Sequence, residues 1–169
     1  MNSLLRHMPL ICAAALLLVL PVWTPVTAYG QCGELLSNGH FNAGVTGFTS
    51  QYTLNQISLW LESTYAVTSN PHNQHPHFWG YDHTTGTGPF LTVNGSTAGG
   101  KYCWKQTVPV VPNSRYTFEA WVCSVVTSSP AVLYFYVNGV QLGSPFTAPS
   151  SLYAWSKFEE EWQSGAATT

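Results

Sequence analysis

Four histidines lie close together in the chain, His72, His75, His77 and His83, with the spacing H-x2-H-x-H-x5-H. Imidazoles can ligate zinc, but three or four must converge tetrahedrally, and a stretch rich in Pro, Asn, Thr and Gly does not impose that. Acid–base chemistry is no better served. Asp82 is the only aspartate, and Glu159, Glu160 and Glu161 are consecutive. On a strand, alternate members of that run point to opposite faces. A glycosidase needs two carboxylates held about 5–9 Å apart across the scissile bond, and no spacing brings Glu62 and Glu119 together. No Gly-x-Ser-x-Gly elbow presents a serine nucleophile. The pattern predicts a protein that is not an enzyme.

Aromatic residues offer a binding chemistry instead. They make up 14% of the chain, against 7% charged residues. In Leu133-Tyr134-Phe135-Tyr136-Val137 the apolar parity is the core one, which turns Tyr134 and Tyr136 the other way. Trp121 falls on the non-core parity of its own strand. Sugar rings stack their C–H faces on such side chains, with Lys105, Thr107 and Glu119 available for hydroxyls. The expected carbohydrate-binding set is Trp121, Tyr134, Tyr136, Trp79 and Lys105. Either that face is open, or the loop before it covers it with Phe78, Trp79 and Tyr81.

The elements that must position these residues read as strands. Lys101 to Val126 alternates on both sides of Pro112-Asn113-Ser114, which predicts a long hairpin. A turn centred on Asn113 sets Val108 against Phe118 and Val110 against Tyr116. It also opposes Cys103 and Cys123, where a cross-strand disulfide is geometrically plausible. Leu59 to Val67 is an apolar stretch ending as a strand, Phe90 to Val93 is a short strand, and Phe158 to Trp162 is another. Asn138-Gly139 between two apolar runs signals a two-residue hairpin turn. Asn70 to Gly88 is a long polar loop, a length that in a compact domain usually reflects function, ligand or disorder.

The first 28 residues have the form of a secretion signal: Arg6, the apolar run Leu10 to Leu20, then Val26-Thr27-Ala28 before cleavage. The run is too short for a membrane span of about 20 apolar residues. Cleavage near Ala28 leaves Cys32, Cys103 and Cys123 in an oxidising compartment, so a Cys103–Cys123 pair leaves Cys32 as a free thiol or one bonded outside this chain. Five basic residues against seven acidic ones give a net charge of −2. No basic footprint for nucleic acid exists.

Asn38-Gly39-x-Phe41, followed by Gly44 and Gly47-Phe48, resembles the opening of the galactose-binding-like jelly rolls, which include many carbohydrate-binding modules. Asp82 to Gly88, continuing to Leu91, Val93, Asn94 and Gly95, is similar to a branch found in large bacterial cell-surface proteins. Trp104-x-Gln106-Thr107-Val108, Tyr116-x-Phe118-x-Ala120-Trp121, Asn138-Gly139-x-Gln141-x-Gly143 and Trp162-x-Ser164-Gly165 continue that likeness, over about Leu36 to Gly165. Such jelly rolls commonly carry a structural Ca²⁺. Asn38, Asn42 and Asp82 are the candidate ligands here, although related domains place an acidic residue where this chain has Asn42 and often another at His40. The resemblance also implies one more strand beyond Gly165, so residues 33–169 are expected to form a jelly-roll β-sandwich lacking its C-terminal closing strand.

The resulting expectation is a secreted or cell-surface, all-β, antiparallel jelly-roll domain that binds a polysaccharide or surface glycan without cleaving it. Its other partners are further domains of a parent protein. The alternative is a structural or adhesive spacer with no small ligand.

Overall fold

A computed structural model describes residues 33–169; the expected signal segment and Cys32 lie outside the described residues. The architecture is all-β, and its one helical turn among these residues is the short 3-10 piece Pro71–Asn73. No helix among them is long and apolar enough to cross a membrane. Seven strands form three small sheets. β1 (Thr53–Leu54), β2 (Thr64–Thr68) and β3 (Phe90–Asn94) make the first, with β2 central, parallel to β1 and antiparallel to β3. β4 (Arg115–Val122) pairs with β7 (Ser156–Gln163), and β5 (Val132–Val137) with β6 (Val140–Thr147), both antiparallel.

Strand β2 is buried from Thr64 through Val67, as suits a central strand covered on both faces. Ala66 joins Leu59 and Phe78 in a core cluster, with Val125 and Val126 packed against it. A second apolar centre joins the two ribbons. Phe135 of β5 stacks on Phe158 of β7 at 3.9 Å, while Phe118 of β4 and Phe146 of β6 approach within 5.6 Å of Phe135 and 5.9 Å of Phe158 respectively. The β5–β6 turn is the expected one. Val137 faces Val140, and Asn138 and Gly139 both adopt positive φ, 49° and 79°, as a tight hairpin of right-handed twist requires. Further along, the register shifts, so that Tyr134 alone faces the stretch Gly143-Ser144-Pro145.

The long hairpin over Lys101 to Val126 does not form. β4 takes β7 as its partner instead, with Tyr116 opposite Trp162 and Phe118 opposite Glu160 rather than Val110 and Val108. Pro109 counts against that hairpin, because it removes a backbone donor from the middle of the first arm. That arm lies elsewhere: Lys105 bridges Thr49, and Val110 N–H donates to the Thr168 carbonyl at 2.9 Å. The alternation survives the change of partner. Tyr116, Phe118, Ala120 and Val122 are half-buried, whereas Thr117, Glu119 and Trp121 are exposed.

With that register gone, the reason for a Cys103–Cys123 bond goes too, and both are free thiols. Burial pushes the Cys123 thiol up to about 12 and raises that of Cys103.

The opening motif earns its residues by hydrogen bonding. Asn38 Nδ2 donates to the carbonyls of Gly44 and Thr46, and its Oδ1 accepts from Ala43 N–H. Gln106 staples this loop from 69 positions away: its Oε1 accepts from Ser37 N–H, and its Nε2 donates to Ser37 and Gly47. Gly47 has φ +83°, and a Cβ there would lie 2.8 Å from Ser37 Oγ. Only glycine meets both demands.

Candidate functional site: an aromatic strip on the long loop

The middle of the loop from Asn70 to Gly88 alternates in burial like a strand but has no ladder partner. Phe78 and Asp82 are buried and Gly80 half-buried, while His77, Trp79, Tyr81 and His83 between them are exposed. Three contacts hold the segment down. Trp79 N–H donates to the Val125 carbonyl at 2.9 Å, Phe78 inserts beside Leu59 and Ala66, and Gly80 lies so close to Phe90 that a Cβ would sit 3.3 Å from its ring. The outward rings are thereby fixed as a row.

Three of them, Trp79, Tyr81 and His83, rest on a second ring. His72 stacks on Trp79 at 4.1 Å and 27°, Tyr153 on Tyr81 at 5.2 Å and 9°, and Trp121 on His83 at 3.9 Å and 17°. Trp155 meets His83 edge-on at 5.6 Å. At the other end His75 lies between Phe78 and Trp60, with ring centres 4.2 and 4.3 Å away. Trp60, Trp79, Tyr81, Trp121 and Tyr153 all remain at least 41% exposed. Beside Trp79 an open groove of about 320 Å³ is lined by His77, Trp79, Val126, Thr127, Ser128 and Leu152.

The expected binding residues are thus divided. Trp79 and Trp121 belong to this strip. Tyr134 and Tyr136 are exposed, at 56% and 58%, but on the outer face of β5–β6. Because the inner faces of the two ribbons meet through Phe118, Phe135 and Phe158, the outer side chains of β4 and β5 point away from each other. Lys105 sits beside Thr49, its ammonium 5.7 Å from the Tyr102 ring centre. Tyr81, Tyr153, Trp155, Trp60 and the histidine partners were not among the expected residues. The signal for the row itself was present, in the alternation of His77-Phe78-Trp79-Gly80-Tyr81-Asp82-His83.

Of the three candidate calcium ligands, Asn38 spends both amide ends on its own loop. Asp82 Oδ2 accepts from Thr85 N–H and, at 2.7 Å, from Thr85 Oγ1. Desolvation alone would raise the Asp82 carboxyl, but the bonds from Thr85, Thr84 and Gly86 outweigh it and hold the group below its ordinary value. As bonded, Asn38 and Asp82 each close their own loop. No group of three or more His, Cys, Asp or Glu among the described residues is placed to hold a metal ion.

Two carboxylates come together where Glu119 lies opposite Glu159 on the outer face of β4–β7. Lys157 bridges them, 3.1 Å from Glu119 and in contact with Glu159. Hydrogen bonding to Lys157 holds the Glu159 carboxyl below its ordinary value and, with Glu119, raises the ammonium. A general acid needs the opposite displacement.

His75 makes the strip sensitive to pH. Burial, with a contribution from the charge of His77, lowers its imidazole from the ordinary 6.5. The unfolded chain therefore takes up a proton more readily than the folded one. The stability contributed by the neutral ring is complete above 6.5 and is lost as pH falls through that value toward the folded one. Melting temperatures measured between about pH 7 and about pH 5 should fall more steeply for the wild type than for His75→Phe.

Comparison with protein-family models, with curated proteins and with solved structures gives no match.

Proposed function

We propose that this chain is a secreted, jelly-roll-like β-sandwich domain that binds glycan without cleaving it, through the aromatic strip of the long loop. The observation that carries the reading is the exposed row His77, Trp79, Tyr81 and His83, pinned from beneath by Phe78 and Gly80 and extended sideways by Trp121 and Tyr153. Rings held in place before binding lose little entropy when a sugar stacks on them. The hydroxyls of Thr127 and Ser128 border the groove beside Trp79 and supply polar contacts. Low charge suits a neutral partner, and the Lys157-bridged glutamates argue for retention rather than hydrolysis. The reading invokes no calcium.

The test is retention on a panel of insoluble polysaccharides and on a glycan array. An aromatic contact is worth about 0.5–1.5 kcal/mol beyond area burial, so Trp79→Ala and Trp121→Ala should each weaken binding by about 2- to 12-fold. Tyr134→Ala should leave it unchanged. Retention lost with Tyr134→Ala alone would move the site to the outer face of β5–β6. Retention of no glycan at all would favour the spacer.

A further inference from the structure

Resting on the glycan reading just given, we infer that the strip engages the flat face of a solid, neutral polysaccharide rather than a free sugar chain. A site for a small ligand or a free chain encloses it, burying most of its surface and satisfying its polar groups from several sides. Nothing of that kind surrounds these rings. Trp79 and Tyr81 stand outward from an extended segment, 43% and 41% exposed, and the adjoining groove is open. Residues 77 to 83, at 3.2–3.4 Å per residue, span at most about 20 Å, a length suited to a polymer face. Trp60 beyond one end, 59% exposed, and Trp121 at the other, 45% exposed, lengthen the apolar ridge.

Charge narrows the class. The outward positions of residues 77 to 83 carry no Lys, Arg, Asp or Glu; the one carboxylate of that segment, Asp82, is turned inward and capped by Thr85, and Lys157, opposite Trp121, is already bridged to Glu119 and Glu159. An anionic polymer finds no unpaired cation there, and along residues 77 to 83 a cationic one finds no carboxylate. Rigidity completes the argument. A free chain loses conformational entropy when it is ordered on a surface that grips it from one side only, and few hydrogen bonds are available to offset that loss. Chains in a solid are already ordered, and the backing rings His72, Tyr153 and Trp121 keep the protein side equally fixed.

Depletion from solution by microcrystalline cellulose and crystalline chitin, set beside calorimetry with soluble cellohexaose and chitohexaose, tests the inference. Retention on a solid is expected, with hexaose affinity weaker by at least about tenfold. Trp79→Ala and Tyr81→Ala, each checked for retained folding, should weaken retention on the solid by about 2- to 12-fold, whereas Tyr81→Phe keeps the ring and should keep retention. Hexaose binding as tight as binding to the solid would overturn the inference while leaving the glycan reading intact. So would preferential binding to polygalacturonate or chitosan. Binding to neither solid nor hexaose, or a dimer in sedimentation that Trp79→Ala dissolves, would remove the glycan reading itself.

Discussion

Phe158→Ala is expected to lower the unfolding free energy by about 3–5 kcal/mol. The ring is 5% exposed and sits where three other rings converge. Phe135 stacks on it at 3.9 Å, Phe146 meets it edge-on at 5.9 Å and Phe118 at 6.2 Å. Few other buried side chains bind the two ribbons, so the lost contacts have no nearby substitute. The neighbouring rings belong to three different strands and cannot collapse together into the vacated space without bending a ladder, so a cavity remains. Urea unfolding monitored by tryptophan fluorescence would measure the loss. Phe158→Leu, which keeps most of the apolar volume, should cost clearly less. For a domain of this size the alanine effect is a large part of a total of roughly 5–15 kcal/mol.

Phe78→Ala is the second large effect, and it separates support from contact. Phe78 is 6% exposed, joins Leu59 and Ala66 in the core, and carries the His75 ring at 4.2 Å. Its removal should cost about 3–5 kcal/mol, and the segment it anchors should loosen, so glycan retention falls together with the melting temperature. Trp79 is the adjacent residue but faces outward, and Trp79→Ala should cost about 1 kcal/mol or less while still weakening retention by about 2- to 12-fold. Parallel thermal melts and retention assays distinguish the two. If Phe78→Ala destabilised the fold yet bound normally, the row would not depend on its anchor.

The parity of residues along β4 and β5 was legible in the sequence, because it depends only on local alternation. Tyr116, Phe118, Leu133 and Phe135 lie inward and Trp121, Tyr134 and Tyr136 outward, as read. The Asn138-Gly139 turn was legible for the same reason, its two residues dictating their own backbone. Strand partnership was not. Alternation states which side of a strand is apolar but not which other strand lies beside it, and Phe158 and Trp162 were as acceptable to β4 as Val108 and Val110. Pro109, inside the first arm, was a local clue against the shorter connection. In the long loop, Pro, Asn and Thr obscured a period of two that was nonetheless written there. The ring partners Tyr153 and Trp155 come from more than 70 positions away, and no local pattern could have supplied them.

The β5–β6 hairpin is nested, in chain order, between the two strands of the β4–β7 ladder. This nesting implies an order of events in time. The hairpin closes over the shortest possible connection, whereas joining β4 to β7 must bring together segments with the entire hairpin between them. A hairpin already formed draws the ends of that connection together and lowers the entropy lost on closing it. It also presents Phe135 and Phe146 as a template on which Phe118 and Phe158 can meet. The turn at Asn138 and Gly139 therefore governs how fast the larger ladder assembles as well as how firmly the smaller one holds. The refolding arm of a stopped-flow experiment would register that influence far more than the unfolding arm.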